Sequence, residues 1–167
     1  WFCEDYYREG GVMEDERYYR TEPVVDYTVK YDYSDVPTIW NFSQDNQSIM
    51  RGLMGPFGSG KSSGCIMEIL KRSQEQTPGR DGVRRTRWAA IRNTNRELDD
   101  TTLVTWFHWI KEGQFGYYEK TPRNFILQMR CGDGTFAEAE VLFRPLDKPD
   151  DVENLMSLEL TGAWFNE

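Results

Sequence analysis

Eight consecutive residues at 55–62, Gly-Pro-Phe-Gly-Ser-Gly-Lys-Ser, fit the pattern G-x-x-x-x-G-K-[ST] without a mismatch. Glycines at these positions let backbone N–H groups converge on phosphate oxygens, and the N-terminus of a following helix adds partial positive charge. In such a loop Lys61 reaches the β- and γ-phosphates, and the Ser62 hydroxyl holds Mg²⁺. The alternative is a glycine-rich turn without a ligand, but a chance match to this pattern is on the order of 1%. The pattern therefore predicts binding of ATP and Mg²⁺ by Gly55, Pro56, Phe57, Gly58, Ser59, Gly60, Lys61, Ser62 and Ser63.

Hydrolysis of ATP needs a further group that holds the metal and orients a water molecule. Residues 158–165 form an apolar run that ends in Asn166 and Glu167, and no other segment of the sequence is as good a candidate. If this strand lies beside the loop, Glu167 emerges near the γ-phosphate, where its carboxylate polarises the attacking water. Asn166 stands where an aspartate is expected. Its amide oxygen can accept from a metal-bound water, but it carries no charge, so magnesium would depend more on the phosphates and on Ser62. The alternative is an edge strand that happens to end in an acid.

Composition places the chain among soluble globular proteins, with 38% hydrophobic and 29% charged residues in 167. No apolar stretch approaches the roughly 18 residues that a membrane span needs. Cys3, Cys65 and Cys131 are isolated from one another and His108 is the single histidine, which argues against a zinc site and a disulfide framework. This cysteine usage suits a reducing cytosol. We expect each thiol to be buried or inert, and His108 to pack in a helix.

Charge is unevenly distributed along the chain. Residues 1–35 carry a net charge of −6 and residues 71–96 a net charge of +6. The overall balance of −8 argues against uniform coating of nucleic acid, while a local basic surface stays open. Scattered arginines on a solvated loop explain the second segment equally well.

The periodicity of apolar residues predicts the elements that must position the loop. Residues 1–21 are expected to be irregular or partly helical, and alternation over 25–33 predicts a half-buried strand that ends near Pro37. Gly162, inside the last apolar run, indicates a bulge or a close backbone approach. The other predicted strands are 49–54, 87–92, 125–129, 137–143 and 158–165, the third and fourth paired as a hairpin about Cys131 to Gly134. Helices are predicted at 61–73 and 149–157, and a loop at 77–82. A further helix, capped by Asp99 or Asp100, is predicted to carry Leu103, Trp106, Phe107 and Ile110.

Helices that alternate with buried strands indicate an α/β fold with a mainly parallel sheet. We expect a P-loop NTPase of the RecA-like type, in which helices flank the sheet. Residues 1–35 are assigned to an acidic segment of unclear role and residues 36–167 to the ATPase domain. The chain begins at Trp1 and stops after an apolar run. We therefore expect a piece of a longer protein, truncated at its C-terminal side.

Several separated blocks, in one order, resemble the ATPase half of the large terminase subunits of tailed bacteriophages. They cover roughly residues 36–167 and read Gly-Leu-Met-Gly-Pro-Phe-Gly-Ser-Gly-Lys-Ser at 52–62, Trp-Ala-Ala-Ile-Arg-Asn-Thr at 88–94, Leu-Asp-Asp-Thr-Thr at 98–102, Leu-Asp-Lys-Pro-Asp-Asp-Val at 146–152 and Ser-Leu-Glu-Leu-Thr-Gly-Ala-Trp-Phe-Asn-Glu at 157–167. The resemblance implies a motor that pumps double-stranded viral DNA into an empty procapsid. It also implies Lys61 as the phosphate lysine, Ser62 as the metal ligand and Glu167 as the water-activating carboxylate. Asn166 departs from the Asp-Glu pair that is common among such motors.

The same resemblance implies partners and a place of action. Such proteins form a ring at the portal protein of the procapsid in the host cytoplasm, receive DNA from a small terminase subunit, and carry a downstream nuclease domain. They also need an arginine that reaches the γ-phosphate, for which Arg84, Arg85, Arg87 and Arg92 are candidates. Contacts to adenine often come from upstream of the loop, where Phe42 and Gln44 lie, although core packing or loop polarity explains these two residues as well.

Two other functions stay open at this stage. One is another P-loop ATPase that nucleic acid stimulates, such as a helicase. The other is a nucleotide-binding module that assembles without turning over ATP.

Overall fold

The computed structural model describes residues 29–166, which form a mixed α/β structure around one five-stranded sheet. Its strands are β1 Val83–Arg92, β2 Gly116–Glu119, β3 Asn124–Arg130, β4 Phe136–Pro145 and β5 Gly162–Phe165. Its helices are α1 Pro37–Gln44, α2 Lys61–Glu75, α3 Asn95–Glu97, a π-helical turn Leu98–Thr102, α4 Leu103–Trp109 and α5 Pro149–Met156. None of these helices is long and apolar enough to cross a bilayer.

The sheet is mixed rather than mainly parallel, so that part of the fold prediction is wrong for residues 29–166. Its order is β2-β3-β4-β1-β5, with β1 parallel to both β4 and β5, whereas β2, β3 and β4 pair antiparallel. Short connections reverse the chain direction, while parallel neighbours need a long crossover. The predicted hairpin is confirmed, and the Gly134 N–H donates to the Cys131 carbonyl over 3.0 Å at its turn.

One face of the sheet carries the hydrophobic core. Residues paired directly across neighbouring strands share a face, as do Trp88 with Val141 and Ala90 with Phe143 and Trp164. Against this face pack the buried apolar side chains of α2 and α4, which are Ile66, Met67, Ile69, Leu70, Leu103 and Trp106. The core therefore fixes α2, and the loop that precedes it, relative to β1 and β5.

Several predicted elements are confirmed with small changes in their bounds. The helices predicted over 61–73 and 149–157 are α2 and α5, and the segment 77–82 lies in a loop. The strand predicted over 87–92 is β1, which begins at Val83. The strand predicted over 158–165 spans only Gly162–Phe165 and lies at the edge of the described sheet.

Gly162 makes the close backbone approach that its position in a strand indicated. An added Cβ would lie 2.5 Å from Cζ3 of the Trp88 ring. Only glycine lets β5 come this near to the indole that β1 places in the core.

Two predicted strands are wrong within the described residues. Residues 29–33 have no strand, and the rest of that predicted strand, with residues 1–21, lies outside the described range. Tyr31 instead packs its ring on Trp109, with centroids 5.5 Å apart. Residues 49–54 are not a strand either, and Ile49 and Met50 are exposed. No strand in residues 29–166 pairs with this segment, so its apolar residues do not form part of the sheet.

Three local expectations also differ from the structure. Pro37 begins helix α1 rather than ending a strand, as proline favours a first helical turn. The helical segment that contains Trp106 begins at Asn95, before the predicted start at Asp99 or Asp100. Its cap is Thr94, whose side chain accepts from the Glu97 N–H. His108 lies in helix α4 as predicted, with its ring 5.5 Å from that of Trp109, but it is exposed.

Candidate nucleotide and magnesium site

The loop 55–60 leads directly into the 15-residue helix α2. Gly58 and Gly60 have φ angles of +75° and +80°, which only glycine adopts without strain. Gly60 is the residue before the first helical turn, and its carbonyl accepts from the Gly64 N–H over 2.8 Å. The loop therefore presents backbone N–H groups at the positive end of a helix dipole, which is the arrangement that favours phosphate.

Lys61 folds back over this loop. Its ammonium donates to the carbonyl oxygens of Gly55 and Pro56, each at 2.7 Å, and to the Ser59 hydroxyl at 3.3 Å. Lys61 is the only charged residue of 55–62, and its ammonium thus lies against the loop, where it would meet phosphate oxygens. Phe57 is fully exposed at the tip of the loop.

Ser62 and Asn166 lie side by side, although 104 residues separate them in the sequence. The Ser62 hydroxyl donates to Asn166 Oδ1 over 3.4 Å. The parallel pairing of β5 with β1 carries Asn166 to this place, and the Asn166 N–H donates to the Ile91 carbonyl over 2.9 Å. The two residues predicted to hold magnesium are therefore brought together, at the carboxyl end of the strand and the amino end of the helix.

Asn166 is fixed on two further sides. Its amide Nδ2 donates to the Thr102 hydroxyl over 2.9 Å, and Arg92 donates to its backbone carbonyl over 2.7 Å. Thr102 is fully buried, and the Arg92 side chain is 17% exposed. Neither contact was anticipated from the sequence, because both partners lie more than 60 positions from Asn166.

The donors at this place fit magnesium with its phosphate ligands. Mg²⁺ prefers oxygen donors, keeps several waters, and is commonly bound through one or two protein groups together with substrate phosphates. Ser62 supplies a hydroxyl and Asn166 an amide oxygen, both uncharged. Residues 29–166 contain no cluster of three or more histidine, cysteine or acidic side chains that could hold a metal alone.

The four candidate arginines are spread along β1, from Arg84 near its start to Arg92 at its end. Arg84 contacts the Gln76 carbonyl and pairs with Asp133 at 2.5 Å, at the end of the strand far from the loop. Arg85 pairs with Asp81 at 2.7 Å, and Arg87 with Glu140 at 2.7 Å. Arg92 alone among the four contacts the predicted magnesium site, through Asn166.

The remaining predicted site residues are placed as follows. Ser63 Oγ accepts from the Trp109 indole N–H over 2.9 Å, so it ties α2 to α4. Phe42 is half-buried with the Arg51 guanidinium 4.6 Å above its ring, and Gln44 is exposed. Glu167 lies outside the described residues.

A cleft of about 600 Å³ adjoins the site between α2, β5 and residues 49–53. Glu68 lies in its wall, buried between Arg51 at 2.7 Å and Arg72 at 2.6 Å. Cys65 also lines the cleft, and burial first, then Glu68, raises its pKa to about 12. The thiol is therefore protonated at neutral pH and inert, as predicted for it.

No family model matches the sequence, and no curated protein or solved structure is significantly similar to it.

Proposed function

We propose that this chain is a P-loop ATPase of the RecA-like type that binds ATP with Mg²⁺ at residues 55–62 and hydrolyses it. The observation that carries the proposal is the contact of Ser62 with Asn166 over 3.4 Å. A glycine-rich turn that binds no ligand does not require a polar residue of a distant strand beside it. A magnesium site does require one, because the metal must be held opposite the phosphates.

The residues divide the chemistry among them. Backbone N–H groups of the loop and the α2 dipole would hold the phosphates, and Lys61 would neutralise their charge. Ser62 would bind magnesium directly, and Asn166 would accept from Ser62 or from a metal-bound water. Glu167, the next residue, would take a proton from the attacking water.

More particularly, we propose that the chain is the ATPase part of a large terminase subunit, which drives double-stranded viral DNA into a procapsid. The support is the resemblance of five sequence blocks in one order, three of which supply Ser62, Asn166 and the Thr102 beside it. The portal protein, a small terminase subunit and a ring of copies at the procapsid in the host cytoplasm belong to the same proposal.

Phosphate release by the purified chain tests the ATPase. Lys61→Ala is expected to lower the rate about 100-fold or more, since it removes preorganised charge at the transferring phosphoryl group. Lys120→Ala, at an exposed turn after β2, is the matched control and should keep the wild-type rate. Equal rates in wild type and Lys61→Ala would contradict the proposal.

Glu167→Gln separates hydrolysis from binding. Loss of a general base lowers the rate by about 10²- to 10⁴-fold, while ATP affinity should stay within a few-fold of wild type. Glu159→Gln changes an exposed acid of the same segment and should have no effect. ATP binding without phosphate release in the wild type would favour the module that assembles without turnover.

The nucleic acid that stimulates turnover separates the motor from a helicase. Double-stranded DNA is expected to raise the rate of phosphate release, because a packaging motor moves along the duplex. Stimulation by single-stranded DNA alone would support the helicase instead and would leave the P-loop assignment intact.

A further inference from the structure

We propose that Thr102 is a positioning residue that fixes the rotation of the Asn166 amide and so presents the amide oxygen to Ser62 and magnesium. This inference rests on the proposed function. It assigns a role to a side chain that the loop motif does not contain and that would not touch ATP.

The geometry around Asn166 gives each end of its amide a different partner. The Nδ2 group donates to Thr102 Oγ1 over 2.9 Å, and Oδ1 accepts from Ser62 over 3.4 Å. Because nitrogen and oxygen point in opposite directions from one planar group, holding the nitrogen at Thr102 directs the oxygen toward Ser62.

Thr102 is well suited to hold a partner in one orientation. It is fully buried at the end of the π-helical turn Leu98–Thr102, and Leu98 and Leu103 are buried as well. A β-branched side chain has few rotamers, and a buried hydroxyl needs a hydrogen-bond partner. Single π-helical turns within α-helices are frequent at functional sites. The hydroxyl is therefore a fixed acceptor for Asn166.

An asparagine needs this help where an aspartate would not. A carboxylate offers two equivalent oxygens, so either rotation presents an acceptor to the metal. An amide turned by 180° instead presents an N–H donor, which repels a cation. Thr102 removes that rotation, so its effect is specific to an amide at position 166.

Magnesium-dependent nucleotide binding tests the inference without relying on turnover. The affinity for a fluorescent ATP analogue is measured without metal and across a magnesium titration. Thr102→Val keeps the shape of the side chain but removes the acceptor, and should raise the magnesium concentration at half-saturation about tenfold or more. The affinity without metal should stay within about twofold. A merely structural loss would weaken both measurements equally.

Three variants sharpen the test. Thr102→Ser keeps the hydroxyl and should restore the wild-type magnesium midpoint. Thr101→Val is the matched control, because Thr101 is exposed and its hydroxyl donates to the Glu97 carbonyl, away from Asn166. In an Asn166→Asp background, Thr102→Val should change the midpoint less than twofold, since a carboxylate has no wrong rotation.

The outcomes separate this inference from the proposed function. No ATP binding by the wild type overturns the proposed function and the inference together. Magnesium-dependent binding by the wild type, with an unchanged midpoint in Thr102→Val, overturns the inference alone. If Thr102→Val does not fold, Thr102→Ala removes the same acceptor, and an unchanged midpoint there has the same meaning.

Discussion

The arginines at the two ends of strand β1 have different partners. At the amino-terminal end, Arg85 pairs with Asp81, and both side chains are about half exposed, at 53% and 51%. At the carboxyl-terminal end, Arg92 is 17% exposed and donates to the backbone of Asn166. At the amino-terminal end the arginines pair mainly with acids, although Arg84 there is itself only 13% exposed. At the carboxyl-terminal end the arginine holds a backbone group of a half-buried site built mainly from uncharged groups.

This difference shows that residue type alone does not identify a functional arginine. Exposed ion pairs contribute about 0–1 kcal/mol, because water screens the charges. A hydrogen bond from a charged donor, such as that from Arg92 to the partly buried Asn166 carbonyl, contributes about 1.5–3 kcal/mol and fixes the position of the acceptor. The end of β1 that meets α2 and β5 is therefore the end where arginine bears on the proposed chemistry.

Among the changes that test this comparison of the two ends, the largest effect is expected at Arg92. Arg92→Ala removes the donor that holds the Asn166 backbone and should lower the rate of phosphate release about 10- to 100-fold, the equivalent of a charged hydrogen bond. Arg84→Ala is the matched control, because Arg84 is similarly buried and also donates to a backbone carbonyl, that of Gln76, but at the opposite end of β1, so the rate should be unchanged. An equal loss of phosphate-release rate in both variants would show that the two ends of β1 do not differ in their effect on hydrolysis.

A smaller effect, on stability, is expected at Gly162. Gly162→Ala would place a Cβ 2.5 Å from the Trp88 ring and push β5 away from β1. Overpacking of this kind costs about 1–3 kcal/mol, or about 2–4 °C of melting temperature for each kcal/mol. Gly52→Ala, with no atom within 4 Å of its added Cβ, is the control. Equal melting temperatures for the two variants would contradict the close approach.

The smallest effect is expected at Asp133, in the ion-pair end. Hydrogen bonds from the Thr135 hydroxyl and N–H, and then the Arg84 guanidinium, lower the pKa of Asp133 from 3.8 to about 2. Because the folded-state pKa is lowered, the stabilisation is present above pH 3.8 and is lost as the pH falls through 2. Melting curves of wild type and Asp133→Asn should therefore differ above pH 4 and converge near pH 2. A constant difference across this range would refute the pH dependence.

The sequence alone was sufficient where the determinants are local. Glycines at 58 and 60 followed by a helical pattern predicted the loop and α2, because φ preference and apolar periodicity act within a few residues. The β3–β4 hairpin was predictable for the same reason, from a turn that contains glycine and aspartate. Residues 49–54 show the limit of this reasoning, because an apolar run predicts burial but does not supply a strand to pair with.

Only the tertiary structure decided how the site is assembled. The motif predicted Ser62, and the apolar run predicted Asn166. Their contact, between residues 104 positions apart, depends on the parallel pairing of β5 with β1. Arg92 was one of four candidate arginines and Thr102 lay in one of the resembling blocks, but nothing in the sequence indicated that either contacts Asn166. Their proposed roles depend on hydrogen bonds between segments that come together only when the sheet and the helices pack around one core. Contacts between residues more than 60 positions apart leave no local pattern in the sequence.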